Sequence, residues 1–438
     1  MENWLQQFAE HRERLPGAQQ PQIRALREES IQRVADAGLP TLRDEDWRYT
    51  SLQPLGRREF KLSEAVSPSL EAADLEAFRF PELDTWQMVF VDGQFMPGLS
   101  KIEDLPDGVI VHDLASWLVD ENREALMLRN EANVLASLNT AFMVDGAVIR
   151  TRENVIVEKP LHLIFITTAR EGSFMVVPRI DLRTGANSEI RVVENFVAMG
   201  AAQSLTNTLT NIVAGENSRI EYYHLQEESK EAWHLANIFV DQKQDSRVIG
   251  HSVSLGAALA RVDFHINLDA AGGENILNGL YMGKDRQHTD HHILIEHLSP
   301  HTRSEQRFKG IMDGASRGVF NGKVVVHEGA QKIEAVQSNR NLLLSDQAEV
   351  DTKPELEIYA DDVKCAHGAT VGQLNEDELF YLRSRGIGEE KARALLTWAF
   401  ADDVISRMAL DPIRQTLEKK LAGEFSRTEQ FDDIRDLV

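Results

Sequence analysis

The feature that most constrains this chain is a run of short, strand-like stretches from residue 147 to about residue 372. Alternating or β-branched residues recur there, separated by Gly, Asn, Asp and Ser, and no amphipathic helix of ordinary length interrupts them. More than 200 residues of strands without helices predict a sandwich, a barrel, a propeller or a β-solenoid. The predicted strands fall at residues 190–197, 204–213, 219–225, 235–240, 248–255, 262–268, 276–282, 292–297, 308–312, 319–327, 339–344, 356–359 and 363–365.

A weak repeat within this run favours the solenoid. Ser-Arg pairs at Ser218-Arg219, Ser246-Arg247 and Ser316-Arg317 each follow a turn and open a predicted strand. The first two pairs are 28 residues apart, a spacing within the range of one coil of a stacked β-helix. Many strand residues are polar, which predicts a one-layer wall whose outer face is wet or covered by a partner. Examples are Thr206, Asn207, Thr208, Thr210 and Asn211.

Helical spacing borders the strand-rich region on both sides. Before it, an apolar stripe at residues 23–34 ends at Gly38, and residues 86–99 predict a hairpin with an Asp-Gly turn. After it, helices are predicted at about residues 376–385 and 389–410. The chain is therefore divided into an N-terminal helical and mixed region at 1–145, a β core at 146–374 and a C-terminal helical region at 375–438.

Composition excludes several functional classes. Asp and Glu number 70 against 47 Lys and Arg, so the formal net charge is −23. This charge argues against nucleic-acid binding, which needs a basic face, and against anionic membranes. No apolar run approaches the roughly 20 residues of a transmembrane helix, and the N-terminus lacks signal-peptide features. With Cys365 as the single cysteine, no intrachain disulfide can form, and we expect a soluble, cytoplasmic protein.

Common catalytic signatures are missing from the sequence. The glycines at residues 318–324 are too closely spaced for a phosphate loop and lack its hydroxyl. No Gly-x-Gly-x-x-Gly follows a strand, and neither His-Glu-x-x-His nor Gly-x-Ser-x-Gly occurs. These absences argue against a common enzyme.

Histidines and acidic pairs offer two candidate metal sites. His288, His291, His292, His297 and His301 lie close together in the sequence and could supply imidazole ligands. In a strand, however, neighbouring residues point to opposite faces, so the alternative is a set of solvated or partner-facing histidines. The acidic pairs could bind calcium or simply lie on solvated turns and helix faces; they are Asp361-Asp362 and Asp402-Asp403.

The sharpest cluster is Lys364-Cys365-Ala366-His367. Residues i and i+2 of a strand share one face, so the Cys365 thiol and the His367 imidazole can lie side by side. We expect Lys364 and His367 to lower the thiol pKa and favour the thiolate, which binds metals and accepts sulfur. The alternative is an inert, buried cysteine. One thiolate and one imidazole cannot saturate a soft metal centre, so a metal or cluster site here needs ligands from another chain.

Residues 349–372 read EVDTKPELEIYADDVKCAHGATVG and closely resemble the signature of the SufB/SufD family, which builds iron–sulfur clusters. The resemblance continues through FYLRSRGI at residues 380–387, AFA at 399–401, RGVFNG at 317–322 and DWRYT at 46–50. Within the family the chain resembles the SufD members. SufB members are typically longer and carry several cysteines, including one that receives sulfur inside the β-helix, whereas this chain has only Cys365.

The resemblance implies a right-handed parallel β-helix with helical regions at both ends. It also implies a non-catalytic scaffold that pairs with SufB through the β-helix and can pair with itself when alone. Cys365 and His367 match the SufD positions at the SufB interface, where they would hold iron or the nascent cluster. The partner SufC, an ATPase, would bind ATP and dock on the C-terminal helices, with contact residues Phe380, Tyr381, Arg383, Arg385, Leu396 and Phe400.

The sequence leaves three further points open. The family has been linked to reduced flavin, but the sequence has no flavin motif. A β-helix carbohydrate lyase would need a signal peptide and a cleft of carboxylates with Arg or Lys. A purely structural adaptor for the ATPase would keep the helical docking region but would not need Cys365 and His367.

Overall fold

The computed structural model describes residues 2–64, 70–120, 124, 126 and 133–425, and its centre is a parallel β-helix. Successive strands alternate between two sheets, so each turn of the solenoid contributes one strand to each sheet. The strands are β1 Lys61–Leu62, β2 Trp86–Val91, β3 Gln94–Phe95, β4 Val109–Asp113, β5 Gly146–Thr151, β6 Leu161–Thr168, β7 Phe174–Val176, β8 Arg179–Arg183, β9 Glu189–Met199, β10 Ser204–Ala214, β11 Arg219–Glu227, β12 Trp233–Gln242, β13 Arg247–Ser254, β14 Leu259–Leu268, β15 Glu274–Gly283, β16 His288–His297, β17 Arg303–Met312, β18 Arg317–Val326, β19 Ile333–Leu343, β20 Glu349–Ile358 and β21 Val363–Gly372. The first sheet has the order β4–β5–β8–β10–β12–β14–β16–β18–β20, and the second has the order β3–β2–β6–β9–β11–β13–β15–β17–β19–β21. The predicted solenoid is therefore confirmed.

Helices flank the solenoid at both ends of the chain. The predicted hairpin is confirmed, because β2 and β3 pair antiparallel around Asp92 and Gly93, which both have positive φ. The apolar stripe predicted at residues 23–34 also lies on a helix, which ends at Gly38 (φ 70°). The helices are α1 Glu2–His11, α2 Pro21–Ala37, α3 Gln53–Arg57, α4 Leu114–Val119, α5 Val134–Phe142, α6 Glu376–Ser384, α7 Glu389–Ile405 and α8 Asp411–Phe425.

The 28-residue repeat corresponds to one turn of the solenoid. Arg219 and Arg247 are register partners in β11 and β13, and they continue a column of charged residues on the outer face of the second sheet. Arg247 lies 3.0 Å from Glu274 in this column. Arg317 begins β18 in the first sheet, so the third Ser-Arg pair is not part of the same column. All three Ser-Arg pairs do open strands, as predicted, and the first two also share one sheet.

The corners before second-sheet strands repeat a left-handed residue. Asn154, Asn187, Asn217 and Asp245 have φ between 53° and 60°, a region that Asn and Asp tolerate better than most side chains. Their side chains also bond between turns: the Asn217 amide donates to Asn187 at 2.8 Å, and the Asn187 amide donates to Asn154 at 3.0 Å. These residues set the end of each turn and its spacing.

The polar residues of β10 are buried, and the outer face predicted to be wet or covered by a partner is instead covered by a helix of the same chain. Helix α5 covers the outer face, where the Asn139 amide donates to the Asn207 carbonyl at 2.7 Å and the Asn207 amide donates to the Leu135 carbonyl at 2.9 Å. On the inner face the Thr210 hydroxyl donates to Glu194 at 3.0 Å. The alternation of polar residues in the sequence could not show whether these side chains face water or form hydrogen bonds with buried groups of the protein.

The DWRYT segment fixes the N-terminal region to the first sheet. The Arg261 guanidinium lies over the Trp47 ring, 3.6 Å from its centroid, and donates to the Asp46 carbonyl at 2.7 Å. The Thr50 hydroxyl donates to the buried Asp290 carboxylate, which also pairs with Arg261 at 3.0 Å. The DWRYT segment therefore holds the N-terminal region against the first sheet of the solenoid.

Helices α7 and α8 cover part of the second sheet. Ile405 and Leu417 join an apolar cluster with Ile311 and Tyr223 of the strands, and the Leu410 backbone N–H donates to the Tyr223 hydroxyl at 3.2 Å. Within the described ranges, no helix is both long and apolar enough to cross a lipid bilayer.

Candidate functional site: the terminal rung of the solenoid

The solenoid ends in two uncovered strands, β20 and β21, which we call the terminal rung. Among the described residues, β20 pairs only with β18 and β21 only with β19, so each strand has one ladder neighbour. Both strands are 10 residues long, and the apolar side chains Ile358, Tyr359 and Val371 are exposed on or beside them. Edge strands of this length carry unpaired backbone N–H and C=O groups that can pair with another chain.

Cys365 and His367 occupy the inward side of β21. Their register partners in β19 are Ala335 and Gln337, which are both buried inside the solenoid. Cys365 is half-buried and packs against the apolar interior, whereas His367 is exposed. No further turn covers either residue within the described chain. The interior column of the second sheet therefore ends in a thiol and an imidazole.

Burial raises the pKa of the Cys365 thiol, an effect that hydrogen bonding by the Ala335 backbone partly opposes. The prediction of a lowered thiol pKa is wrong for the isolated chain. Lys364 points to the other face, where it is exposed and lies 3.6 Å from the Glu334 carboxylate. The environment of Cys365 in this chain therefore favours the neutral thiol over the thiolate.

A buried amide, which no local sequence pattern indicates, is the register partner of His367 one turn deeper. Gln337 is 2% exposed, and its amide Nε2 donates to Gln306 Oε1 at 3.0 Å, one turn deeper. Gln337 Oε1 is buried without a hydrogen-bond partner among the described residues. Its position one turn of about 30 residues before His367 was the available signal, but only the register reveals it.

The histidine-rich segment separates onto two faces, as the alternation predicts. His291 and His297 are buried inside the solenoid, where burial lowers their pKa values to about 3 and about 4. His292 faces outward and lies 3.1 Å from the Asp290 carboxylate. The expectation of solvated or partner-facing histidines is wrong for His291 and His297, because the solenoid interior accommodates polar residues.

Neither candidate metal cluster of the sequence forms a site. Within the described residues, no group of three or more His, Cys, Asp and Glu side chains is arranged to hold a metal ion. Asp361 and Asp362 are exposed at the corner before β21, and Asp403 pairs with Lys309 at 2.8 Å. Cys365 and His367 likewise need ligands from elsewhere to form a metal site.

Two family profiles match the chain. The profile described as "SufBD protein N-terminal region" matches residues 1–163, and the one described as "SUF system FeS cluster assembly, SufBD core domain" matches residues 165–400. The chain belongs to the SufBD family. The core match includes most of the solenoid, the terminal rung and helix α6.

Full-length relatives support the SufBD assignment. "Iron-sulfur cluster assembly SufBD family protein slr0076" of Synechocystis is 35% identical over 393 residues, 87% of this chain and 86% of the relative. "Iron-sulfur cluster assembly protein SufD" of Escherichia coli is 32% identical over 421 residues, 95% of this chain and 94% of the relative. "Protein ABCI7, chloroplastic" of Arabidopsis thaliana is 31% identical over 92% of this chain and 86% of its own length.

The six predicted docking residues of this SufBD protein fall into two groups. On α6, Phe380 and Tyr381 are 72% and 57% exposed, which is unusual for large hydrophobic side chains. Arg383 and Arg385 are exposed beside them. Leu396 and Phe400 on α7 are instead partly buried against the second sheet, and the Phe400 ring lies 4.4 Å from the Lys309 ammonium.

Proposed function

We propose that this SufBD protein is a scaffold subunit of a SufBCD-type complex that assembles iron–sulfur clusters. Cys365 and His367 would hold iron or the nascent cluster, and SufB would supply the sulfur and the remaining ligands. The observation that carries the proposal is the placement of both side chains on the inward side of an uncovered terminal rung. Thiolate and imidazole both suit iron, but two ligands leave its coordination incomplete.

The terminal rung would be the SufB-binding surface. Its two 10-residue strands offer backbone groups for strand pairing, and Tyr359 and Ile358 add exposed apolar area. A SufB solenoid that continues both sheets would bury the Cys365 thiol beside its own ligands. The isolated chain could use the same edges to pair with a second copy of itself.

Helix α6 would be the main SufC-binding surface. Phe380 and Tyr381 provide an exposed aromatic pair, and Arg383 provides positive charge next to it. ATP would be bound by SufC, and this chain would have no catalytic step of its own. Movement of SufC during hydrolysis would pull on the C-terminal helices and open the terminal rung. We assign this activity to the cytoplasm, and flavin has no assigned residues in this proposal.

The test is co-purification of the chain with SufB and SufC, followed by anaerobic absorption spectra of the reconstituted cluster. His367→Ala and Cys365→Ser should lower the cluster yield severalfold and leave the three-protein complex assembled. His301→Ala is the matched control, because His301 is an exposed histidine at a corner of the solenoid. Full cluster formation by the His367→Ala complex would contradict the proposal and favour the alternative of a structural adaptor for the ATPase.

A further inference from the structure

The two strands of the terminal rung differ in the backbone groups on their outer edges. No described strand pairs with these outer edges, which we call the free edges. In a parallel ladder, the N–H and C=O groups of one residue face one neighbouring strand, and those of the next residue face the opposite side. In β20, the Glu349 N–H donates to the Ser316 carbonyl at 3.1 Å, and the Tyr359 N–H donates to the Val326 carbonyl at 2.9 Å. Odd-numbered residues of β20 therefore face β18, and even-numbered residues face the free edge.

A proline interrupts the free edge of β20 near its centre. Pro354 is even-numbered and is the register partner of Gly322 in β18. Because proline has no N–H, it hinders pairing with another chain when it lies on an edge strand. On the outer face beside it, Lys353 lies 2.7 Å from Glu45 and 2.9 Å from Glu355. The β20 edge therefore lacks a central donor, and ion pairs within this chain occupy the face next to it.

The free edge of β21 has no such interruption. The Glu334 N–H of β19 donates to the Thr302 carbonyl at 3.2 Å, so even-numbered residues of β19 face β17 and odd-numbered residues face β21. Ala335 is the register partner of Cys365, and in a parallel ladder its backbone bonds reach the residues on either side of that partner. The residues whose N–H and C=O groups face the free edge are therefore Val363, Cys365, His367, Ala369 and Val371.

The outer face of β21 leaves room for a close neighbour. A Cβ added at Gly368 or Gly372 would meet no atom of the described chain within 4 Å. Ala366 and Thr370 are exposed, and the strand contains no Asp, Glu or Arg. The β21 edge thus combines an uninterrupted row of backbone donors and acceptors with small side chains beside it.

We propose that β21, rather than β20, is the edge on which a strand of SufB pairs. An extended backbone is the ligand that an uninterrupted strand edge selects. The choice of SufB rests on the function proposed above, because a strand laid along β21 places its inward side chains next to Cys365 and His367, which lack their remaining ligands. Backbone hydrogen bonds extend the second sheet into SufB, and the first sheet meets SufB through side chains.

Amide hydrogen exchange read by mass spectrometry tests this pairing on the full chain. The chain is kept at a dilution where it is monomeric by light scattering, and SufB or SufC is then added. SufB should slow the exchange of the free-edge amides of β21 at least about tenfold more than those of β20, because only the former gain hydrogen bonds. SufC alone should change neither strand.

Two proline variants provide a second test through SufB affinity. Ala369→Pro removes one donor from the free edge of β21 and should weaken SufB binding at least about tenfold. Val350→Pro is the matched control, since it removes a donor from the free edge of β20 and should change the affinity less than about twofold. The urea midpoint should stay the same in both variants, because neither N–H belongs to the ladder within this chain.

Equal protection of β20 and β21, or equal weakening by the two prolines, would overturn the inference and leave the proposed function standing. Protection of β21 by a second copy of the chain, but not by SufB, would overturn the choice of partner. If the wild-type chain does not bind SufB at all, the proposed function is refuted and this inference with it.

Discussion

The two ends of the solenoid differ in how their sheets stop. At the N-terminal end, the sheets finish in the short antiparallel strands β3 and β4, of 2 and 5 residues. At the C-terminal end, they finish in two 10-residue strands with nothing paired to their outer edges in the described chain. Proteins usually shorten or cover edge strands to prevent association. In the proposed function, the closed N-terminal end serves the fold and the terminal rung serves the SufB partner.

The interiors of the two ends differ in the same way. Near the closed end, Phe196 is 1% exposed and stacks on Phe165, with ring centroids 4.8 Å apart. At the terminal rung, Val363 and Cys365 only partly enter the core. The inward-facing residues of the solenoid therefore stabilise the fold where further turns cover them. At the terminal rung, the same inward positions leave side chains such as the Cys365 thiol partly accessible.

The largest expected effect is a difference in lost unfolding free energy between a core truncation near the closed end and one at the terminal rung. Phe196→Ala should lower the free energy of unfolding by about 3–5 kcal/mol, because it leaves a cavity among fully buried neighbours. Val363→Ala should cost about 1 kcal/mol, since one side of that residue is already open. Urea unfolding followed by circular dichroism measures both. Equal losses would show that the terminal rung is packed as firmly as the closed end.

A pH-dependent loss of stability should come from the enclosed histidines. Burial lowers the pKa of His297 to about 4, and its ring nitrogens lie 2.7 Å from the Thr302 hydroxyl and 2.9 Å from the Ser304 hydroxyl. The unfolded chain, with an ordinary value of 6.5, binds the proton more tightly. Stability from His297 is therefore complete above pH 6.5 and is lost as the pH falls toward 4, by at most about 1.4 kcal/mol per pH unit.

His297→Gln should remove the contribution of His297 to stability. The slope of the unfolding free energy against pH should therefore decrease between pH 4 and pH 6.5. The free energy at pH 8 serves as the control, because it contains only the packing cost of the substitution. An unchanged slope in the variant would contradict the assignment of His297 as a buried neutral histidine.

Two surface substitutions should separate the proposed partner sites. Tyr359→Asp places a charge beside the terminal rung and should weaken SufB binding about tenfold, with SufC binding retained. Phe380→Asp on α6 should do the reverse. Pull-down titrations with each partner measure the two affinities, and the unfolding midpoint should stay unchanged in both variants. Loss of both partners in either variant would contradict separate surfaces.

The smallest effect should come from Lys364. Its ion pair with Glu334 is exposed, so Lys364→Ala should change the free energy of unfolding by less than about 0.5 kcal/mol. The pH midpoint for alkylation of Cys365 should also stay the same, above the ordinary thiol value, because burial raises this pKa. A midpoint that rises in Lys364→Ala would restore the prediction that this lysine activates the thiol.

The sequence predicted the solenoid and the Cys365–His367 pair because both depend on local period and spacing. The strands at residues 356–359 and 363–365 were predicted too short, since the polar first half of β20 and the small residues of β21 carry little strand signal; both strands extend to 10 residues through pairing. The contact between Trp47 and Arg261 and the placement of Gln337 under His367 depend on register over many turns. No local pattern encodes such distances.

The most direct test of the central claim uses Cys365, the single cysteine of this chain, as a natural label. Its alkylation is read from the mass of this chain, because SufB members carry cysteines of their own. The rate of its alkylation at pH 9 is measured in the free chain, with SufC alone and with SufB. If the terminal rung is completed by SufB, SufB should slow alkylation at least about tenfold, whereas SufC alone should leave the rate unchanged. An equal rate with and without SufB would contradict a shared site at the open end of the solenoid.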